Sequence, residues 1–219
     1  MLALALTGLV LTGWSADPDL VPPDWRGDPG STLQQWSFST DADPATPDIF
    51  SNPFGSSSAD IDVEPLYGTG WWDTYEDVYG SKQGWWDVAR GSITLEISNS
   101  PSSPPGSYKL IQVQVTYWRD ISAAPSISVN PFATQQGSTI TTLIENGPEG
   151  GAWYSDRSIW VLGPNPSSET VLVQGHATYG SMIDGIVVDT ICVVPEPSSV
   201  ACAALLGLAA LWRVRFGRV

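Results

Sequence analysis

Two matched pairs of tryptophans are the most chemically suggestive feature of this 219-residue sequence. Gly70, Trp71, Trp72 and Asp73 recur fourteen residues later as Gly84, Trp85, Trp86 and Asp87. Indole and phenol rings have flat apolar faces that can stack on the C–H faces of sugar rings, and carboxylates accept hydrogen bonds from sugar hydroxyls. Asp73 and Asp87, with Glu76 and Asp77 between them, place such acceptors beside the rings. Neighbouring residues of an extended chain face opposite sides, so one Trp of each pair is expected inside and the other outward. A hairpin joining the two copies, with Tyr75, Tyr79 and a turn at Gly80 and Ser81 between them, would present a carbohydrate-binding surface. The same rings serve equally well as packing beneath a loop, which is the commoner fate of Trp.

Other chemistry is less well provided for. Asp41 and Asp43, and Asp60, Asp62 and Glu64, set carboxylates on alternate positions, which line one side of an extended chain. Such a row offers hard oxygens to Ca²⁺, although neither stretch has the EF-hand pattern. Zinc is disfavoured, since the chain has 1 His and 2 Cys and structural zinc needs four such ligands. No nucleophile elbow of the Gly-x-Ser-x-Gly type occurs to pair with His176. A glycosidase needs only two carboxylates at the right separation, and Glu96, Glu145 and Glu169 leave that reading open. No residue is singled out as catalytic.

These side chains must be positioned by strands. Charged residues make up 15% of the chain, against 21 Gly, 18 Pro and 11 Trp, a balance that favours short strands and turns over helices. Residues 33–39 alternate apolar and polar, and residues 41–58 read as a Pro/Ser-rich loop. Residues 91–98 alternate cleanly. In residues 108–119, Ile111, Val113, Val115 and Tyr117 point one way and Gln112, Gln114 and Thr116 the other. These two segments are expected to form an antiparallel pair with one solvated face. Further strands are expected at 126–129, 138–144, 158–162, 169–174 and 186–192. The pattern predicts an all-β, antiparallel two-sheet sandwich over residues 33–194, with the jelly roll as one wiring, preceded by a proline-rich extended leader over residues 17–32.

Charge narrows the partners. Residues 17–194 hold 22 acidic against 6 basic side chains. Such a body repels nucleic acid, which is bound through Lys and Arg, and it stays dispersed outside a cell. Cys192 precedes an apolar tail that contains Cys202, so the two form no disulfide framework.

The ends read as export signals. Residues 1–16 have an apolar run followed by Ser15 and Ala16, the pattern of a secretory signal peptide, with a start upstream of Met1 left open. Near the other end, Pro195, Glu196 and Pro197 precede an uncharged segment over residues 200–212 and then Arg213, Arg215 and Arg218. Counted from Val200 or from Ser198, that segment would make a helix of roughly 20–23 Å, short of a hydrocarbon core of about 30 Å. Arginines snorkel and hold the tail end cytoplasmic.

This order of triplet, short apolar helix and basic end resembles the PEP-CTERM sorting signal. The resemblance covers residues 194–219, with Pro195, Glu196 and Pro197 as its signature and Arg213 and Arg215 as its basic end. It implies a membrane sorting protease, an exosortase, as partner. It also implies transient anchoring through the C-terminal helix and a final place at the cell surface or outside, in bacteria that make extracellular polysaccharide. Three functions stay open: an exported, non-catalytic surface or matrix protein, a carbohydrate-binding module using the Trp pairs, and a secreted glycan-active hydrolase.

Overall fold

A computed structural model describes residues 20–74, 76–99 and 106–194. Among them the chain forms twelve strands and one helical turn. The strands are β1 (Ser31–Trp36), β2 (Ile49–Ser51), β3 (Ser57–Asp62), β4 (Gly70–Thr74), β5 (Gln83–Ala89) and β6 (Ser92–Ser98). After them come β7 (Tyr108–Arg119), β8 (Ser126–Asn130), β9 (Thr134–Asn146), β10 (Ala152–Leu162), β11 (Ser168–Gln174) and β12 (Ser181–Val193). The helical turn, α1, is Glu76–Tyr79.

All the strand pairings are antiparallel and fall into two sheets. The larger runs β2-β1-β12-β7-β10-β9, with β5 also on β12 and β4 on β5; the smaller runs β3-β6-β11-β8. One apolar layer lies between them. Ile93, Leu95 and Ile97 of β6 and Val171 and Val173 of β11 meet Ile111, Val113 and Val115 of β7 and Ile186 and Val188 of β12. The period-2 alternation predicted for residues 91–98 is what aims these side chains at that layer.

The pairing differs from the sequence expectation in one respect that matters. β6 and β7 are not partners: β6 lies between β3 and β11, and β7 between β10 and β12. Alternation tells which side chains share a face and is silent about which strand lies alongside. The polar face of β7 is not solvated either, for Gln112, Gln114 and Thr116 are buried. The segment before β1 covers it. Gln112 Nε2 donates to the Val21 carbonyl at 2.8 Å, and Val21 N–H donates to Gln114 Oε1 at 2.9 Å. Two side-chain amides thus hold the leader as a neighbouring strand would. Arg26 then clamps it, with Nε and Nη2 each 2.6 Å from the buried Asp189 carboxylate of β12.

Residues 41–58, expected as loop, contain β2 and the start of β3. Both are short strands at sheet edges, where Pro and Ser are tolerated. The expected strands at 138–144, 158–162 and 186–192 are each part of a longer one. The sorting triplet, Arg213, Arg215 and the expected C-terminal helix lie outside the described residues, as does the signal region.

Candidate functional site

The tryptophan repeat is a hairpin, with Trp71 opposite Trp86 and Trp72 opposite Trp85. Alternation sends Trp71 and Trp86 toward the layer between the sheets. Trp85 and Trp72 point to the outer side of the larger sheet, and that side is covered as well. Trp85 packs with Trp118, Trp153 and Met182 in a second buried cluster, against Tyr79 of α1. The rings meet edge to face, Tyr79 on Trp118 at 5.1 Å and 88° and Trp118 on Trp153 at 5.4 Å and 67°, the geometry their quadrupoles favour. Trp85 and Trp86 are therefore both buried, and Trp71 is half-buried with its indole N–H donating to the Phe38 carbonyl at 2.8 Å. Of the four, Trp72 alone is exposed, at 37%, and it lies flat on Trp85 at 5.4 Å and 4°.

The neighbouring carboxylates divide in the same way. Asp73, Glu76 and Asp77 are exposed. Asp87 is half-buried and largely committed to the backbone, accepting from Ala89 N–H at 3.1 Å and from Thr69 N–H and Oγ1 at 3.2 and 2.7 Å. Thr69 Oγ1 accepts in turn from the Trp72 indole N–H at 2.8 Å. A chain of hydrogen bonds thus leads from the one exposed indole to Asp87.

Asp87 lines a cleft of about 360 Å³ with Tyr67, Arg90, Ile121 and Tyr179. Tyr67 and Tyr179 are each 67% exposed, and each is braced on one ring face. The Arg90 guanidinium lies 4.7 Å over the Tyr67 centroid and is itself held by Glu64 at 2.9 Å. The hydrogen bond to Glu64 also raises the Arg90 pKa, so the charge is permanent. Tyr179 stacks on His176 at 5.4 Å and 20°. His176 Nδ1 accepts from the N–H groups of Thr178 and Tyr179, both at 3.2 Å. His176 thereby braces its turn. The residue patterns did not point to Tyr67, Arg90 or Tyr179. Both tyrosines sit in turns directly before glycine, Gly68 and Gly180, but Tyr79 before Gly80 packs into the outer cluster, so that pattern does not by itself mark an exposed ring.

A larger groove of about 470 Å³ runs over the outer face of the larger sheet between the leader and the hairpin, reached by Leu20, Gln35, Gln114, Thr116 and Asp184. Its charged groups are spent internally. Lys82 pairs with Asp184 at 3.0 Å, and Glu145 accepts from Ser81 N–H and Oγ at 2.9 and 2.7 Å.

The calcium candidates do not converge. Asp43 accepts from Ile61 N–H at 3.0 Å and so ties its loop to β3, while Glu64 is paired with Arg90. Asp41, Asp60 and Asp62 are exposed, the last two on the outward side of β3. Among the described residues no three His, Cys, Asp or Glu side chains come together as a metal set. The three glutamates open to a glycosidase reading have separate partners: Glu96 accepts from Thr170, Glu145 from Ser81, and Glu169 is buried against Lys109. No protein-family model and no curated protein matches this sequence.

Proposed function

We propose that this chain is an exported, non-catalytic surface or matrix protein whose two-layer β-sandwich holds extracellular polysaccharide in the cleft edged by Tyr67 and Tyr179. The observation that carries the reading is the pair of exposed tyrosine rings, each stiffened from behind by Arg90 or His176, on one open cleft. Rings already held in place lose little side-chain freedom on stacking against a sugar, and that saving favours binding. Trp72 extends the aromatic surface beside Asp87, to which Thr69 links it. A neutral glycan suits this acidic body better than a polyanion, which it would repel.

Binding to soluble bacterial polysaccharides, followed by calorimetry, tests the cleft. Tyr67→Ala and Tyr179→Ala are each expected to weaken binding about tenfold, equivalent to about 1.4 kcal/mol. Phe132→Ala, at a side chain 94% exposed outside the cleft, is the control and should bind unchanged. Equal binding by all three variants would defeat the cleft assignment.

The route to the surface rests on the C-terminal resemblance. We propose that an exosortase recognises Pro195, Glu196 and Pro197, and that the helix anchors the chain until the tail is removed. Replacing the triplet with alanines is expected to leave the full-length protein in the membrane fraction, whereas unchanged release would argue against sorting. The acidic body, which anionic lipid headgroups repel, fits a protein meant to leave the membrane.

A further inference from the structure

The buried seam between the sheets holds a group that neither the cleft nor the sorting signal uses. Lys109 at the start of β7, Glu169 in β11 and Asn99 just after β6 are 3%, 1% and 4% exposed. Lys109 Nζ lies 2.7 Å from Glu169 Oε1 and 3.0 Å from Oε2, and Asn99 Nδ2 donates to that same Oε2. The amide is fixed in place, since Asn99 Nδ2 also donates to the Pro166 carbonyl at 3.1 Å and Asn99 N–H to the Ser167 carbonyl at 2.9 Å. Asn99 Oδ1 is buried and meets no donor among the described residues. An amine and a carboxamide are thus both set on one carboxylate oxygen, out of water.

We propose that Lys109 and Asn99 join in an intramolecular isopeptide bond, with Glu169 shuttling the protons. Glu169 takes one proton from the Lys109 ammonium, and the freed lone pair of Nζ adds to Asn99 Cγ. The adduct's surplus Nζ proton passes through Glu169 to Nδ2, the Cγ–Nδ2 bond breaks, and the amide nitrogen leaves as ammonia. The Nζ–Cγ bond remains. Atoms balance as amine plus carboxamide giving substituted amide plus ammonia, with no oxidant, reductant or cofactor. Burial favours the neutral partners this requires, because a charge in a dry interior is costly. Desolvation lowers the Lys109 pKa and raises that of Glu169, while the attraction between them pulls each back. The neutral amine is the nucleophile and the neutral carboxyl is the acid.

The bond would tie the end of β6 in the smaller sheet to the start of β7 in the larger. A covalent link there shortens the slack of the unfolded chain as a disulfide does, without needing an oxidising compartment.

Mass spectrometry of the purified full-length chain, unfolded and digested with trypsin, decides the matter. Residues 91–119 are expected as one peptide, uncut after Lys109 and lighter than its sequence by one ammonia, with fragmentation blocked between Asn99 and Lys109. Full mass with cleavage after Lys109 overturns the proposal. So does an ammonia deficit with Lys109 still cleavable, which marks a succinimide at Asn99. Glu169→Gln should restore both the mass and the cleavage, and a cross-link that forms at the wild-type rate in that variant would overturn the shuttle. If Glu169→Gln does not accumulate, the wild-type peptide still decides whether the bond exists.

Discussion

Trp153→Ala is expected to lower the unfolding free energy by about 3–5 kcal/mol, the range for emptying a fully buried aromatic site. Three losses combine at this position. The ring fills the centre of the outer cluster, 5.4 Å from Trp118 and 6.4 Å from Trp85. Its indole N–H donates to the Tyr79 carbonyl at 2.6 Å, the bond that pins α1 to the sheet. The neighbours are themselves rigid rings set edge to face, so the cavity cannot easily collapse. Denaturant melts should show the midpoint falling. Trp153→Phe, which keeps a ring and forfeits the hydrogen bond, should lose about 1–3 kcal/mol. Near-zero loss in Trp153→Ala would mean the outer cluster is a loose cover rather than a second core.

Arg26→Ala is expected to cost about 3 kcal/mol at neutral pH, the lower end for stripping the partner from a buried charge. Asp189 has no exposed side-chain surface, while Arg26 retains 16%. Burial raises the Asp189 carboxyl above its ordinary pKa, and the Arg26 hydrogen bond and charge pull it back. A raised folded-state value means that protonation favours the native form. The strain of holding the anion is absent below the unfolded pKa and grows as pH rises through the folded one. Without Arg26 the folded value rises further, so the variant's deficit should be largest near neutrality and shrink on acidification. Stability curves for wild type and variant between mildly acidic and neutral pH check this. A deficit independent of pH would show that Arg26 acts through packing rather than through the charge of Asp189.

What could be read in advance was what repeats along a strand. Ile93, Leu95 and Ile97 announce both their strand and its buried face. The Trp repeat announces its hairpin, down to opposed pairs. Exposure was not legible, because it depends on what lies over the sheet. Trp85 points outward in its strand and is buried by Trp118 and Trp153, more than thirty residues away in sequence. Gln112 and Gln114 look like a wet face and instead hold the leader. The tyrosine cleft joins Tyr67 to Tyr179 across two turns, where no periodicity operates. The Asn99, Lys109 and Glu169 group is assembled from both sheets, and only pairing within and across them reveals it.

The position of β12 in the larger sheet governs when that sheet can exist. This last strand lies between β7 on one side and β1 and β5 on the other, so without it the sheet falls into disconnected pieces. Its contacts with β1 close a loop of more than 150 residues, the slow and non-local kind of closure. Synthesis must therefore reach Val193 before the larger sheet can be completed, and only Val194, the Pro-Glu-Pro triplet and two serines then separate the strand from the apolar segment. A chain wired in this order leaves its larger sheet in separate pieces until its last described strand has been made.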